Sequence, residues 1–284
     1  MKTRSFTRNW AGDQTTTMAR ILCVVLLAAL PASAAEGVPR IASATSYLES
    51  AALELLGKPV PILRLAEPGT CPGHFDIRPS QAAELRRCDL VLRFDFQKSL
   101  DEVIDGGAKQ PRVVAVAIHQ GLCLPDSYQA ACRQIAGHFV EAGWLSRPQA
   151  QDHLGALAAR LRALSQSATN RVAKAGLAGA PVLPSAHQKD FCEWLGLKVA
   201  GTFTASDVAS IRQIDQAVKA GEQAAVRFII ANLPEGRRAA DALAERLHAK
   251  VVVFGNFPPL QRGAVSFDDL ITGNVEALVT AAGP

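Results

Sequence analysis

Hydrophobic and polar positions alternate along the chain in a way that predicts layered α/β structure. The first half contains four short apolar runs typical of buried strands, at 41–44, 60–65, 90–94 and 113–118. The second half contains three more, at 198–203, 225–230 and 251–254. Helical patterns lie between these runs, at 47–56, 80–87, 187–195, 211–220 and 237–248. Strands that alternate with helices favour parallel sheets covered by helices over bundles or sandwiches.

One stretch, from 147 to about 174, is not interrupted by a strand. Its leucines recur at three- and four-residue steps and so form a single apolar stripe, at Leu154, Leu157, Leu161 and Leu164. This pattern predicts one long helix within a linking segment, 147–176. The segment divides an N-terminal α/β lobe, 35–146, from a C-terminal α/β lobe, 177–284. A ligand is expected in the cleft between two such lobes.

The N-terminus has the pattern of a secretory signal peptide. Arg20 precedes a short apolar run at 21–30, and a small-residue cleavage site ends at Ala34. The run is too short for a membrane anchor, so we expect residues 1–34 to be removed and the mature chain to be periplasmic. No cysteine stands at the cleavage site to carry a lipid.

Charge and hydropathy in the mature chain exclude several classes of partner. The whole sequence has a formal charge of +4, of which the leader carries +3. A mature charge near +1 does not favour nucleic acid, and no later segment is apolar enough to enter a membrane. We expect a monomer.

The first segment with metal-binding chemistry lies between a predicted strand and a helix, at 71–80. Cys71 and His74 have a Cys-x-x-His spacing that lets both side chains reach one ion. Pro72 and Gly73 favour a turn between them.

The second such segment, 185–196, is predicted to open a helix. Ser185 and Gln188 fit a capping box. His187 would then lie in the first helical turn, where the helix dipole disfavours imidazolium and leaves a neutral ring that can bind a metal.

These two segments resemble the metal-specific solute-binding proteins of ABC importers, and the resemblance covers nearly the whole mature chain. That family has a histidine in a loop that ends in Pro-Ser, as at 73–80 here, followed by an Asp-Leu-Val strand, as at 89–91. It also has a histidine opening a helix that ends in an aromatic residue and Gly-Leu, as at 187–197. The resemblance implies two α/β lobes bridged by a long helix, a zinc or manganese ion between the lobes, and an inner-membrane ABC permease as partner. It also implies that His74 and His187 are metal ligands.

Two family ligands have no clear counterpart in this chain. The family's second histidine would fall in 119–126, where His119 or Cys123 could substitute. The acid that follows the last strand of the second lobe corresponds to Asn256, a poor ligand for a transition metal. The histidine-rich loop of many zinc-specific members is absent from the sequence.

We therefore expect a site built from Cys71, His74, Cys123 and His187, with His119 and Asn256 in reserve. Two thiolates and two imidazoles suit tetrahedral zinc, and cysteine favours a soft ion such as zinc or Cu(I) over manganese. In an oxidising compartment Cys123 could instead form a disulfide with Cys71 or Cys132.

The sequence leaves the function partly open. Capture of a metal ion for import is the leading hypothesis, and a periplasmic metallochaperone or metal sensor would use the same residues. The altered ligand set also allows a small organic ligand or a metal chelate. Catalysis is disfavoured, because Cys71 and His74 in a Pro-Gly turn have poor geometry for a nucleophile and base, and no third orienting group is evident.

Overall fold

The computed structural model describes residues 38–71, 73, 76–104, 110–205, 210–261 and 263–283. Residues 1–37, which contain the predicted signal peptide, lie outside this set. Within the described ranges, no helix combines the length and the apolar character needed to cross a bilayer.

The first lobe is built on a parallel sheet in the order β2-β1-β3-β4. Its strands are β1 (Ile41–Ser43), β2 (Ile62–Arg64), β3 (Leu90–Phe94) and β4 (Arg112–Val116). The helices of this lobe are α1 (Ser46–Leu56), α2 (Pro79–Leu85), α3 (Ser99–Ile104) and α4 (Pro125–Glu141). Strand β3 is buried along its whole length, because helices cover both faces of a parallel sheet.

The second lobe repeats this strand order as β6-β5-β7-β8, although the sequence shows no internal repeat. Its strands are β5 (Pro181–Pro184), β6 (Lys198–Val199), β7 (Phe228–Asn232) and β8 (Lys250–Phe254). Its helices are α6 (Lys189–Trp194), α7 (Ile211–Ala224), α8 (Arg238–Leu247) and α9 (Phe267–Ala282), with 3-10 turns at Ala186–Gln188 and Leu233–Glu235. A short antiparallel pair, β9 (Leu260–Gln261) and β10 (Ala264–Val265), precedes α9.

The predicted long helix is confirmed as α5 (Arg147–Lys174). Ser146 and Gln149 form a capping box at its start. Leu157 and Leu161 of the predicted leucine stripe are buried, and the flanking leucines pack against the same core. The fold class, two α/β lobes joined by one long helix, is therefore confirmed.

One hydrophobic core continues through both lobes, so the lobes are packed rather than merely tethered. Phe267, at the start of α9, stacks on Tyr128 with ring centroids 4.1 Å apart and meets Tyr47 edge to face. On α5, Arg160 forms ion pairs with Glu54 of the first lobe and Asp268 of α9. These contacts join helices of the two lobes to each other and to the linking helix.

Candidate functional site

Segments at the carboxyl ends of the two sheets meet at two places, one after β2 and one after β4. After β2, Gly69 packs so closely on Leu233 that an added Cβ would lie 3.3 Å from its Cδ2 atom. After β4, the Gly121 N–H donates to Asp190 Oδ2 at 2.9 Å. The carboxyl ends of parallel strands are where α/β folds bind ligands, so the interlobe cleft is the candidate site.

The strand order of the second lobe brings His187 and Glu235 together. Strands β5 and β7 are neighbours, although 48 residues separate the two side chains in sequence. The chain continues from β5 to β6 on one side and returns to β7 on the other, so this is the switch point of the sheet. His187 Nδ1 is in hydrogen-bond contact with Glu235 Oε1, and we call these two residues the rim pair.

The rim pair is asymmetric in exposure. The His187 side chain is 67% exposed, whereas that of Glu235 is 17% exposed. Ser185 Oγ donates to Glu235 Oε2 at 2.7 Å. Glu235 is thus held in place, while the imidazole of His187 extends toward solvent.

The electrostatics of His187 correct the expectation based on the helix dipole. The hydrogen bond and charge of Glu235 raise the pKa of His187 above its usual value, against the effect of partial burial. Burial opposes ionisation of Glu235, but hydrogen bonds from His187 and Ser185 outweigh it and lower the pKa of that carboxyl. The nearby carboxylate therefore shifts the pKa of His187 in the direction opposite to the one expected from a helix dipole.

The predicted capping box at Ser185 and Gln188 is also wrong. His187 lies in a 3-10 turn that precedes α6, and Ser185 makes no side-chain cap to this turn. Its hydroxyl is used by Glu235 instead. The Gln188 side chain points into the protein and is fully buried.

Gln188 belongs to a buried polar network at the base of the cleft. Its Nε2 atom donates to Asn232 Oδ1 at 3.0 Å, Asn256 Oδ1 at 2.9 Å and the Gly255 carbonyl at 3.2 Å. Asn274 closes the other side, because its Oδ1 accepts from Gly255 N–H at 2.8 Å and its Nδ2 donates to Gly255 O at 3.0 Å. We call this group the interlobe network, and its members are Cys123, Gln188, Asn232, Gly255, Asn256 and Asn274.

Cys123 joins the interlobe network from the first lobe. Its Sγ atom donates to the Gly255 carbonyl at 3.1 Å and lies 3.4 Å from Asn256 Oδ1. Burial raises the pKa of this thiol far above its usual value. To bind a metal as thiolate, Cys123 would have to leave Gly255 and lose a proton that its surroundings hold firmly.

The reserve ligands lie in contrasting positions. Asn256 is 4% exposed, and its side-chain oxygen accepts the hydrogen bond from Gln188. His119 is exposed in the loop after β4, two residues before the contact between Gly121 and Asp190. His119 is therefore the more accessible of the two.

The loop that carries Cys71 lies between β2 and α2. Cys71 is partly exposed, two residues after the Gly69 contact with Leu233, and this contact brings the loop next to the turn that contains Glu235. His74 lies outside the described residues, as do Pro72 and Phe75. Among the residues that are described, His, Cys, Asp and Glu side chains form no group of three or more suited to a metal.

The disulfide alternatives are not formed. Cys123 and Cys132 are both buried thiols, so neither pairs with the other or with Cys71. Cys88 and Cys192 are also buried.

Sequence reasoning missed Glu235. The residue lies a few positions after the predicted strand 225–230 and just before the predicted helix 237–248. An acidic residue just beyond the carboxyl end of a buried strand is a sequence signal for a ligand-binding position in an α/β protein. Its partner could not be identified, because the pairing depends on a strand order that is not sequential.

A family model described as "Zinc-uptake complex component A periplasmic" matches residues 41–281. A search of curated proteins found no match.

Solved structures of metal-binding proteins have the same fold. The Mn-bound periplasmic metal binding protein from Candidatus Liberibacter asiaticus superposes with a TM-score of 0.70 at 12% identity, covering 86% of this chain and 99% of that chain. A crystal structure of ZnuA gives 0.70 at 13% identity, with 87% and 100% covered. A zinc-bound ZnuA with residues 138–173 of its own chain deleted gives 0.69 at 13% identity, with 87% and 99% covered. At these identities the likeness establishes the fold.

Proposed function

The chain belongs to the family of periplasmic zinc-uptake component A proteins, and from that premise we propose that it captures a zinc ion for an ABC importer. The observation that carries the proposal is an exposed imidazole, His187, held by a carboxylate at the switch point of the second sheet. Solved structures with this fold include proteins described as Mn-bound, Cd-bound and zinc-bound.

The proposed ligands are His187 from the second lobe with His74 and Cys71 from the first. Imidazole nitrogen and thiolate sulfur are the donors that zinc prefers. Contact of the Cys71 loop with Leu233 supports the pairing of the two segments, since Leu233 is two residues from Glu235. His119 is the exposed reserve ligand at the same edge of the first sheet.

Cys123 is left out of this ligand set. Its thiol already donates to a buried carbonyl, and its raised pKa opposes formation of the thiolate. A cysteine in this state supports a structural role at the base of the cleft, and Asn256 has the same role.

The proposal also includes export of the chain and delivery of its metal ion to a permease. Residues 1–34 are proposed to be a signal peptide, so that the mature chain works in the periplasm and delivers its ion to an inner-membrane permease. Of soft ions, Cu(I) is the competitor to be tested against zinc, because the same donors accept it.

Zinc competition titrations on the purified protein test the proposed ligands. We expect one zinc ion per chain, and we expect His187→Ala and His74→Ala each to weaken binding by more than about 100-fold. A direct ligand should cost more than an outer-shell partner, which is worth about 10- to 100-fold. His138→Ala is the matched control, because His138 contacts Arg112 at the amino end of β4, away from the cleft. Unchanged zinc affinity in both cleft variants would reject the proposed site.

Import is tested separately by deleting the gene and following growth under zinc chelation. We expect a growth defect that added zinc relieves. Normal growth of the deletion strain, combined with tight zinc binding by the protein, would favour a metallochaperone or sensor over an importer component.

A further inference from the structure

The surroundings of His187 on the second lobe define which of its two ring nitrogens can face a ligand. Nδ1 is engaged with Glu235 Oε1. With Nδ1 engaged and the side chain as a whole two-thirds exposed, the opposite nitrogen, Nε2, is the ring nitrogen left for a ligand. A neutral imidazole carries one proton, and a carboxylate at Nδ1 can only accept it.

We propose that Glu235 is the positioning residue of the cleft: it accepts the Nδ1 proton of His187 and thereby presents Nε2 as the metal-binding atom. This inference rests on the proposed metal-binding function and adds a residue to it. A metal-binding histidine commonly donates its other N–H to a carboxylate, which fixes the tautomer and the orientation of the ring.

Glu235 is suited to this role because both of its carboxylate oxygens are engaged. Oε1 contacts His187 Nδ1, and Oε2 accepts from Ser185 Oγ at 2.7 Å. Gln188, the residue after His187, donates to Asn232 Oδ1 at 3.0 Å within the interlobe network. The rim pair and the interlobe network therefore share one short backbone segment, 185–188.

The local backbone also restricts Glu235. It ends the 3-10 turn Leu233–Glu235, whose first residue packs on Gly69 of the first lobe. Gly236 follows with φ of 71°, a conformation that glycine adopts without strain, so the chain turns away immediately after the carboxylate. The position of Glu235 therefore depends on contact between the lobes.

The tautomer of His187 in the metal-free protein tests the inference without any ion. Nitrogen-15 NMR at a pH where the ring is neutral should show a proton on Nδ1 in the wild type. In Glu235→Ala the population should shift toward a proton on Nε2. Glu235→Gln keeps an acceptor oxygen but loses the charge, so we expect a smaller shift. Equal tautomer populations in the wild type and Glu235→Ala would overturn the proposal.

Zinc affinity supplies the second measurement. We expect Glu235→Ala to weaken binding about 10- to 100-fold, as for other outer-shell partners, and Glu235→Gln to lose less. Glu245→Gln, an exposed glutamate on α8, is the matched control and should bind as the wild type does.

Failure of the proposed metal site and failure of the positioning role of Glu235 give different results. If His187→Ala leaves zinc binding unchanged, the proposed metal site fails, whatever Glu235 does. If His187→Ala abolishes binding while Glu235→Ala has neither an affinity loss nor a tautomer shift, the site stands and the positioning role fails.

Discussion

The exposed rim of the cleft and its buried base use different chemistry, although both include residues at the carboxyl ends of β5 and β7. At the rim, His187 and Glu235 are a hydrogen-bonded pair with an accessible imidazole. At the base, a thiol and several amides share hydrogen bonds around the Gly255 peptide, and each of these side chains is at most 5% exposed. Residues predicted as ligands thus separate by their surroundings: His187 lies at the rim, whereas Cys123 and Asn256 lie in the base.

The difference shows why residue type alone is an incomplete guide to a metal site. Cysteine binds a metal as thiolate, and burial without a positive partner disfavours the thiolate. Histidine binds through a neutral nitrogen, and a carboxylate on the other nitrogen favours the required tautomer. The rim thus has the properties required of a metal-binding side chain. The base has the properties of a stable contact between the lobes.

The largest predicted change in the free energy of unfolding comes from a substitution at the base of the cleft. Asn274→Ala should lower the free energy of unfolding by about 2–3 kcal/mol, because the partly buried Gly255 N–H loses the acceptor it has at 2.8 Å and the Gly255 carbonyl loses a donor. Urea denaturation measures the change. Thr272→Ala, an exposed position on the same helix, is the control and should change stability little. A loss as small as that of the control would show that Asn274 does not hold the network.

A smaller loss of stability is expected for Cys123→Ala. This variant distinguishes the base of the cleft from the rim most clearly. Cys123→Ala should cost about 1 kcal/mol of stability through the lost bond to Gly255, whose carbonyl keeps Gln188 and Asn274 as donors. Zinc affinity should stay within about threefold of the wild type, a change of less than 1 kcal/mol. An affinity loss comparable to that of His187→Ala would place Cys123 among the ligands and contradict this division.

The smallest effect concerns the pH dependence of the rim pair in metal-free protein. The pKa of His187 is raised on folding, so its contribution to stability is full below about pH 6.5, the unfolded value, and is lost as pH rises through the folded value. Glu235 has a lowered pKa and stays ionised over this range. The wild type should exceed His187→Gln in unfolding free energy by more at pH 6 than at pH 9, with a difference below about 1 kcal/mol because the imidazole is exposed.

Equilibrium denaturation at the two pH values checks this prediction. Cys88, whose pKa is raised to about 11, is present in both proteins, so its contribution cancels in the difference between the wild type and His187→Gln. A stability difference that grows toward pH 9 would show that Glu235 does not favour the imidazolium.

The sequence predicted the layers of the fold better than its irregular elements. The long helix was predictable because its capping residues and its leucine stripe agree. Strand β5 was not predicted, because Pro181 and Pro184 at its ends leave only two apolar residues between them. Helix α9 was also missed, since Gly273 and several β-branched residues lower its helix propensity.

The candidate site was predictable only in part, for a physical reason. His187 could be chosen because its segment resembles a known family. Glu235 could not, because its proximity depends on β7 pairing with β5 rather than with β6. The burial of Cys123 likewise depends on Gly255 and Asn274, which lie more than 130 residues further along the chain.

The most direct test of the metal site is anomalous diffraction at the zinc absorption edge from crystals of the zinc-loaded protein. We predict one strong peak in the cleft, about 2.0–2.1 Å from Nε2 of His187 and from a ring nitrogen of His74. A peak bound elsewhere, or a cleft in which the two imidazoles bind no common ion, would contradict the account.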